Sequence, residues 1–221
     1  KNILGDMMHS KPFVLNYGIK SPATEPDLRL IVGTNAGFLH MFKDSGTTVD
    51  ESWAFIPYDL LANQTTLRNN STGMSHVYGL DGSPSAYILD KNNDGIISSS
   101  GASGDKAWIF IGQREGGRSY YAFDVTNPDS PSIKWKITGG ATTGFDRLGY
   151  TWATPQVTSI PGEADPVVIF TGGYTGSGAT SGVGNAIYFV NANTGALVFK
   201  VSPDAQSTAL LLKSGNYPAV W

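Results

Sequence analysis

The chain has 221 residues, a formal net charge of −3, 27 glycines, 11% aromatic and only 15% charged residues. That balance favours strands joined by tight turns over helices, and with no Lys/Arg cluster it argues against nucleic acid or an anionic membrane as partner. The absence of cysteine excludes disulfides and thiolate metal sites, and no apolar run reaches the roughly 18 residues that a membrane-spanning helix needs.

In chain order, three similar openings lead into strands: residues 5–15, 79–89 and 149–157, with Pro12, Pro84 and Pro155 spaced by 72 and 71 residues. Proline is tolerated near the first residue of a strand, where its missing N–H does least harm. After each opening strand comes an apolar second strand ending in Gly33, Gly112 or Gly172, and then a glycine-containing turn. Third strands are expected at 38–42, 120–125 and 186–191. Fourth strands carrying one aromatic each are expected around Trp53, Trp135 and Phe199. Four strands in roughly 40–50 residues, repeated, is the pattern of a β-propeller blade. The fold class is therefore all-β, a partial propeller with blades at 5–57, 79–138 and 149–202 and the start of another at 215–221. Three blades do not close a ring of the usual four to eight. With Lys1 in first place and no signal peptide in view, a longer parent protein is expected. The segment 58–68 is the best helix candidate, between blades, and 172–185 is a Gly/Ser/Thr-rich loop.

The second blade is longer than its neighbours, and the surplus lies at 90–104. There Asp90-Lys91-Asn92-Asn93-Asp94-Gly95-Ile96-Ile97-Ser98 matches the first nine positions of an EF-hand-type calcium loop. Oxygen side chains stand at positions 1, 3 and 5, and glycine at 6 permits the sharp turn. The carbonyl of Ile96 serves position 7, and Ser98 serves position 9 directly or through water. Ile97 is expected to pin the loop to the core. Every candidate ligand is a hard oxygen, which favours Ca²⁺ over zinc or copper. Position 12 is Gly101 rather than a bidentate Glu, so further ligands are needed; Ser98 or Asp105 would complete the shell. The flanks read as strands, so this is a calcium loop inserted in a hairpin; the same residues also suit a turn that binds nothing.

Elsewhere, His9, His40 and His76 show no metal-ligand spacing. Arg118 beside Glu115 reads as a local ion pair or turn contact. Asp6 and Asp81 read as blade-to-blade hydrogen-bonding groups, Asp124 as a turn cap, and the tryptophans and tyrosines as inter-blade core. No acid/base pair or nucleophile–base set emerges, and a non-enzymatic role is expected.

Four runs then follow one another: Gly5-Asp6 with Ser10 and Pro12, residues 53–57 (WAFIP), 78–84 (YGLDGSP) and 116–128 (GGRSYYAFDVTNP). Together they resemble the C-terminal propeller domain of the PilY1/PilC proteins, tip-associated adhesins and biogenesis factors of bacterial type IV pili, over about residues 2–201. The resemblance implies a modified propeller whose calcium loop controls pilus extension against retraction, with surface attachment and twitching motility as outcomes. It carries the metal-ligand role to Asp90, Asn92, Asp94 and the Ile96 carbonyl. It also implies export to the cell surface or pilus tip in association with the outer membrane, but without membrane insertion. The partners it implies are minor pilins and a host or surface receptor. Two alternatives stand beside it: a propeller scaffold with purely structural calcium, and a quinoprotein-like enzyme. Quinone-dependent propellers hold calcium in a central funnel rather than in a contiguous loop.

Overall fold

The computed structural model describes residues 4–20, 22–69, 71–73, 75–175 and 182–203. It contains three four-stranded antiparallel sheets, each made in chain order. The first holds β1 (Phe13–Asn16), β2 (Leu28–Gly33), β3 (Leu39–Asp44) and β4 (Val49–Phe55). The second holds β5 (Ser85–Leu89), β6 (Lys106–Gly112), β7 (Ser119–Asp124) and β8 (Ser132–Thr138). The third holds β9 (Gln156–Thr158), β10 (Val167–Thr171), β11 (Ile187–Asn191) and β12 (Leu197–Val201). These are propeller blades, and the sheets do not close into a ring among the described residues. The expected further opening at 215–221 and part of the 172–185 loop lie outside those residues.

The middle blade explains why its strands read as continuous apolar runs. Successive side chains point to opposite faces of a strand. Ala107, Ile109 and Ile111 of β6, with Tyr121 and Phe123 of β7, enter one core with Leu15, Ile31, Leu39 and Met41 of the first blade. Trp108 and Phe110, with Tyr120 and Ala122, enter a second core with Val168, Phe170, Tyr188 and Val190 of the third blade. A strand buried on both faces has no polar side to alternate with.

Each blade carries the same irregularity. The pairing of third and fourth strands slips by one residue just before the fourth-strand aromatic, leaving Ser52, Lys134 and Val198 unpaired ahead of Trp53, Trp135 and Phe199. A bulge bends and further twists the strand, and here it re-aims the aromatic toward the next blade. Trp53 Nε1 donates to the Pro128 carbonyl at 2.8 Å, and Trp135 Nε1 to the Ala192 carbonyl at 3.0 Å. Both acceptors lie in the turn before the next blade's fourth strand, so the same latch is used twice. Phe199 has no N–H and instead stacks on Phe189 at 4.0 Å. Trp135→Phe keeps most of the ring and deletes the donor. It is expected to cost about 1–3 kcal/mol in urea unfolding, because the partner carbonyl is left unsatisfied. The same change at the less buried Trp53 costs less. Unchanged stability in both would remove the latch.

The expected helix at 58–68 is divided. Tyr58–Leu60 forms one 3-10 turn after Pro57, with Leu60 N–H on the Pro57 carbonyl at 3.0 Å; α1 then spans Asn63–Asn69. Burial sets the break, since Leu60 enters the first core while Leu61 stays 45% exposed. No residue of α1 is buried.

Candidate functional site

The loop at 90–105 joins β5 to β6 and is held at three levels. At its tip, Asn93 (φ 57°) and Gly95 (φ 78°) adopt the left-handed conformation that curls residues 90–96 back on themselves. Inside the curl, Asp90 Oδ1 and Asn92 Oδ1 both accept from the Asp94 N–H, at 3.3 and 3.4 Å. Asp90 Oδ2 accepts from Gly95 N–H at 2.7 Å, and Asp94 Oδ1 from Ile96 N–H at 2.8 Å. The Asn92 amide donates to Asp94 Oδ2 at 2.9 Å. Three of the five sequence-predicted ligands are thus brought together by their side chains.

The other two are placed differently. Ile96 offers only its backbone, one residue before Ile97. The Ser98 hydroxyl accepts from Ser100 N–H at 3.2 Å, in the separate turn at 98–103. Asp105 closes the base: Oδ1 accepts from Lys91 N–H at 2.9 Å and Oδ2 from Ser98 N–H at 3.0 Å. It acts as a clasp between the two ends of the loop.

The third level is packing on the first blade. Ile97 is 4% exposed and belongs to the first core with Leu15 and Tyr17. Its N–H donates to the Tyr17 carbonyl at 3.1 Å. Gly18 (φ 80°) lies so close to the Gly95 carbonyl that a Cβ there would stand 2.0 Å from its oxygen. The loop is an insertion in sequence and a part of the blade-to-blade contact in space.

The two N–H donors, of Lys91 first and Ser98 second, hold the Asp105 carboxyl below its ordinary range. A depressed carboxylate contributes stability that is complete above its unfolded pKa of about 3.9 and is lost as pH falls through the folded value. As pH falls beneath the ordinary carboxylate range, through that lowered value, the amide protons of Lys91 and Ser98 are therefore expected to lose exchange protection while β6 keeps its own. Asp105→Asn, with one acceptor in place of two, should show that loss at neutral pH. Unchanged protection in Asp105→Asn would show that the clasp is not closing the loop.

Residues 15–209 match the sequence profile of the family described as PilY1 beta-propeller domain. The chain belongs to the PilY1 propeller family. It is 32% identical, over 72% of its length, to the type IV pilus biogenesis factor PilY1 of Pseudomonas aeruginosa strain UCBPP-PA14. It is 29% identical, over 90% of its length, to a PilY1 homolog of Xylella fastidiosa. The chain spans 14% of the length of each of these two relatives. Among solved structures it is similar to the P. aeruginosa PilY1 C-terminal domain, with TM-score 0.53 and 26% identity, covering 79% of this chain and 30% of that one.

The cation that PilY1 resemblance implies can be weighed against the donors present. Asp90, Asn92 and Asp94 supply only hard oxygens, and two of those oxygens converge on one N–H, which fits a calcium-type ion. Among the described residues no three His, Cys, Asp or Glu side chains gather at one point. Asp90 and Asp94 are the two carboxylates among residues 90–98 of this PilY1 loop.

Some smaller expectations are revised. Arg118 grips the Leu148 carbonyl through Nε (3.1 Å) and Nη2, tying the second blade to the third blade's opening, and no ion pair joins it to Glu115 among the described residues. Asp6 bonds Asn35 of its own blade at 2.9 Å, whereas Asp81 spans two blades through His9. Asp124 caps its turn at Thr126 N–H and also accepts from Trp108 Nε1.

Sequence reasoning missed Arg29, 1% exposed, which binds Asp27 of its own blade and Asp129 of the second blade, 2.7 Å from Nη1. It missed Arg114 as well. Neither blade-to-blade contact carries a local motif, because the partners in the other blade lie 100 and 105 residues away.

Proposed function

We propose that this chain is the calcium-binding propeller of an exported type IV pilus biogenesis factor, in which the occupancy of residues 90–98 sets a state read by the pilus machinery. The observation that carries the reading is the docked loop. The oxygens of Asp90, Asn92 and Asp94 are gathered on one side, and Ile97 is sealed into the blade-to-blade core on the other. A change at the oxygens is thereby connected to the packing of two blades. Calcium bound there would be held by Asp90, Asn92, Asp94, the Ile96 carbonyl and Ser98, and it supplies the positive charge that offsets the crowded carboxylates. Such a site switches function only if a partner distinguishes the two states. Minor pilins are the partners proposed, with extension favoured by the occupied loop and with attachment, twitching motility and adhesion to a host or surface receptor as consequences. The role is a non-catalytic one at the cell surface. No helix among the described residues is long and apolar enough to cross a membrane.

The Ile97 anchor and the Asp105 clasp also favour a second reading, in which calcium only stiffens a scaffold, since both operate through protein atoms alone. Surface-pilin quantification separates the two. In the full-length protein, Asp94→Ala is expected to reduce surface pili and twitching while immunoblots show normal amounts of exported protein. Asp94→Lys, which places one positive charge near the metal position, should be milder. Normal piliation in the alanine strain would favour the scaffold.

A further inference from the structure

Away from the loop, the three blade openings meet around a cleft of about 490 Å³. Its walls come from residues 7–12 of the first blade, Ser83 of the second, Trp152 and Thr154 of the third, and Arg114 from the β6–β7 turn. Asp81, 1% exposed, stands behind it: Oδ2 lies 2.6 Å from His9 Nδ1 and 3.0 Å from Arg114 Nη1. Arg114 Nη1 and His9 Nδ1 stand 2.9 Å apart against this same carboxylate oxygen.

Arg114 is one of two non-glycine residues with positive φ among the described residues, at 53°. That conformation costs roughly 1–2 kcal/mol and persists only where the surroundings enforce it. Here its N–H donates to Thr151 Oγ1 at 3.0 Å and its guanidinium stacks 4.4 Å over the Trp152 ring. The side chain is thus fixed from behind by Asp81 and on one face by Trp152. Its Nε and Nη2, together with Lys11 Nζ, have no acceptor among the described residues. Asp81 offsets Arg114, and Lys11 leaves the cleft with a net positive charge. Met7 and Met8, 44% and 54% exposed, add an apolar wall beside these donors.

We propose that this cleft binds a carboxylate carried on a short apolar stem: the carboxylate takes the free N–H groups of Arg114 and Lys11, and the stem lies against Met7 and Met8. A carboxylate accepts only, which suits a cluster of unpaired donors, and a positioned guanidinium is the group that binds it best. A protein C-terminus and a free organic acid share this chemistry. Calorimetry with the whole chain distinguishes them, using the peptide acetyl-Ala-Leu with a free carboxylate, the same peptide as its amide, and 4-methylpentanoate. The peptide acid or 4-methylpentanoate should bind with a dissociation constant on the order of 10⁻³ M or below. The amide should bind the peptide site at least about tenfold more weakly, since it forfeits charge-assisted bonds. Equal binding of the two acids assigns a free organic acid, and binding of the peptide alone assigns a chain terminus. Arg114→Gln should abolish binding. Because that change strips Asp81 of its partner, Lys11→Gln is measured too, and it should weaken binding several-fold at unchanged melting temperature. The proposal is overturned if neither acid gives heat up to about 10 mM, if acid and amide peptides bind equally, or if both variants bind like the unaltered chain. Any of these results leaves the calcium reading untouched.

Discussion

Phe110→Ala is expected to destabilise the chain by about 3–5 kcal/mol, read as a lowered midpoint in urea unfolding. Phe110 is fully buried in the second core, with Trp135 at a ring-centroid distance of 5.7 Å. Its cross-strand partners are small, Ser85 on one side and Ala122 on the other, and both are too short to fill the space it leaves. The loss therefore combines the transfer free energy of the ring with a cavity that relaxes only in part. Because the middle blade carries both inter-blade cores, the whole chain should unfold earlier, not the third blade alone. A cost below about 1 kcal/mol would mean that the blades do not depend on this contact.

Calcium is expected to raise the stability of the unaltered chain by about 2.7 kcal/mol at one hundred times its dissociation constant, if only the folded state binds. Asp90→Ala and Asp94→Ala should abolish the rise, because each removes one of the two carboxylates that face the loop interior. The metal-free variants should remain folded. Ile97 keeps its place among Leu15 and Tyr17, and Asp105 keeps both ends of the loop closed, without help from either aspartate. Ile97→Ala is the contrasting change. It should cost about 2–5 kcal/mol with or without calcium, since it empties part of the first core. If Asp94→Ala fails to fold in the absence of metal, the carboxylates are holding the blades together and the division of labour described here is wrong.

Much of this was legible in the sequence, for physical reasons. Prolines at regular spacing marked the blade openings because a strand accepts proline only near its start. The middle blade's continuous apolar strands reflect burial on two faces, and the oxygen–glycine spacing at 90–98 identified a curled loop whose Ile97 turns inward. Other features have no local signature. The bulges at Ser52, Lys134 and Val198 are properties of strand pairing, visible only once the register is known. The helix candidate at 58–68 broke because Leu60, alone of its leucines, found a core to enter. The hold of Asp105 on the backbone at both ends of the loop has no signature in the spacing either. The Arg114 cleft is assembled from residues of all three openings, so no window of sequence contains it.

Calorimetric titration of the chain with calcium, with Asp94→Ala alongside, tests directly whether residues 90–98 bind the ion. Two carboxylates and no bidentate glutamate place the expected dissociation constant on the order of 10⁻⁵ to 10⁻³ M, with no binding by the variant. No heat up to about 10 mM calcium, or equal binding by the variant, would contradict the account.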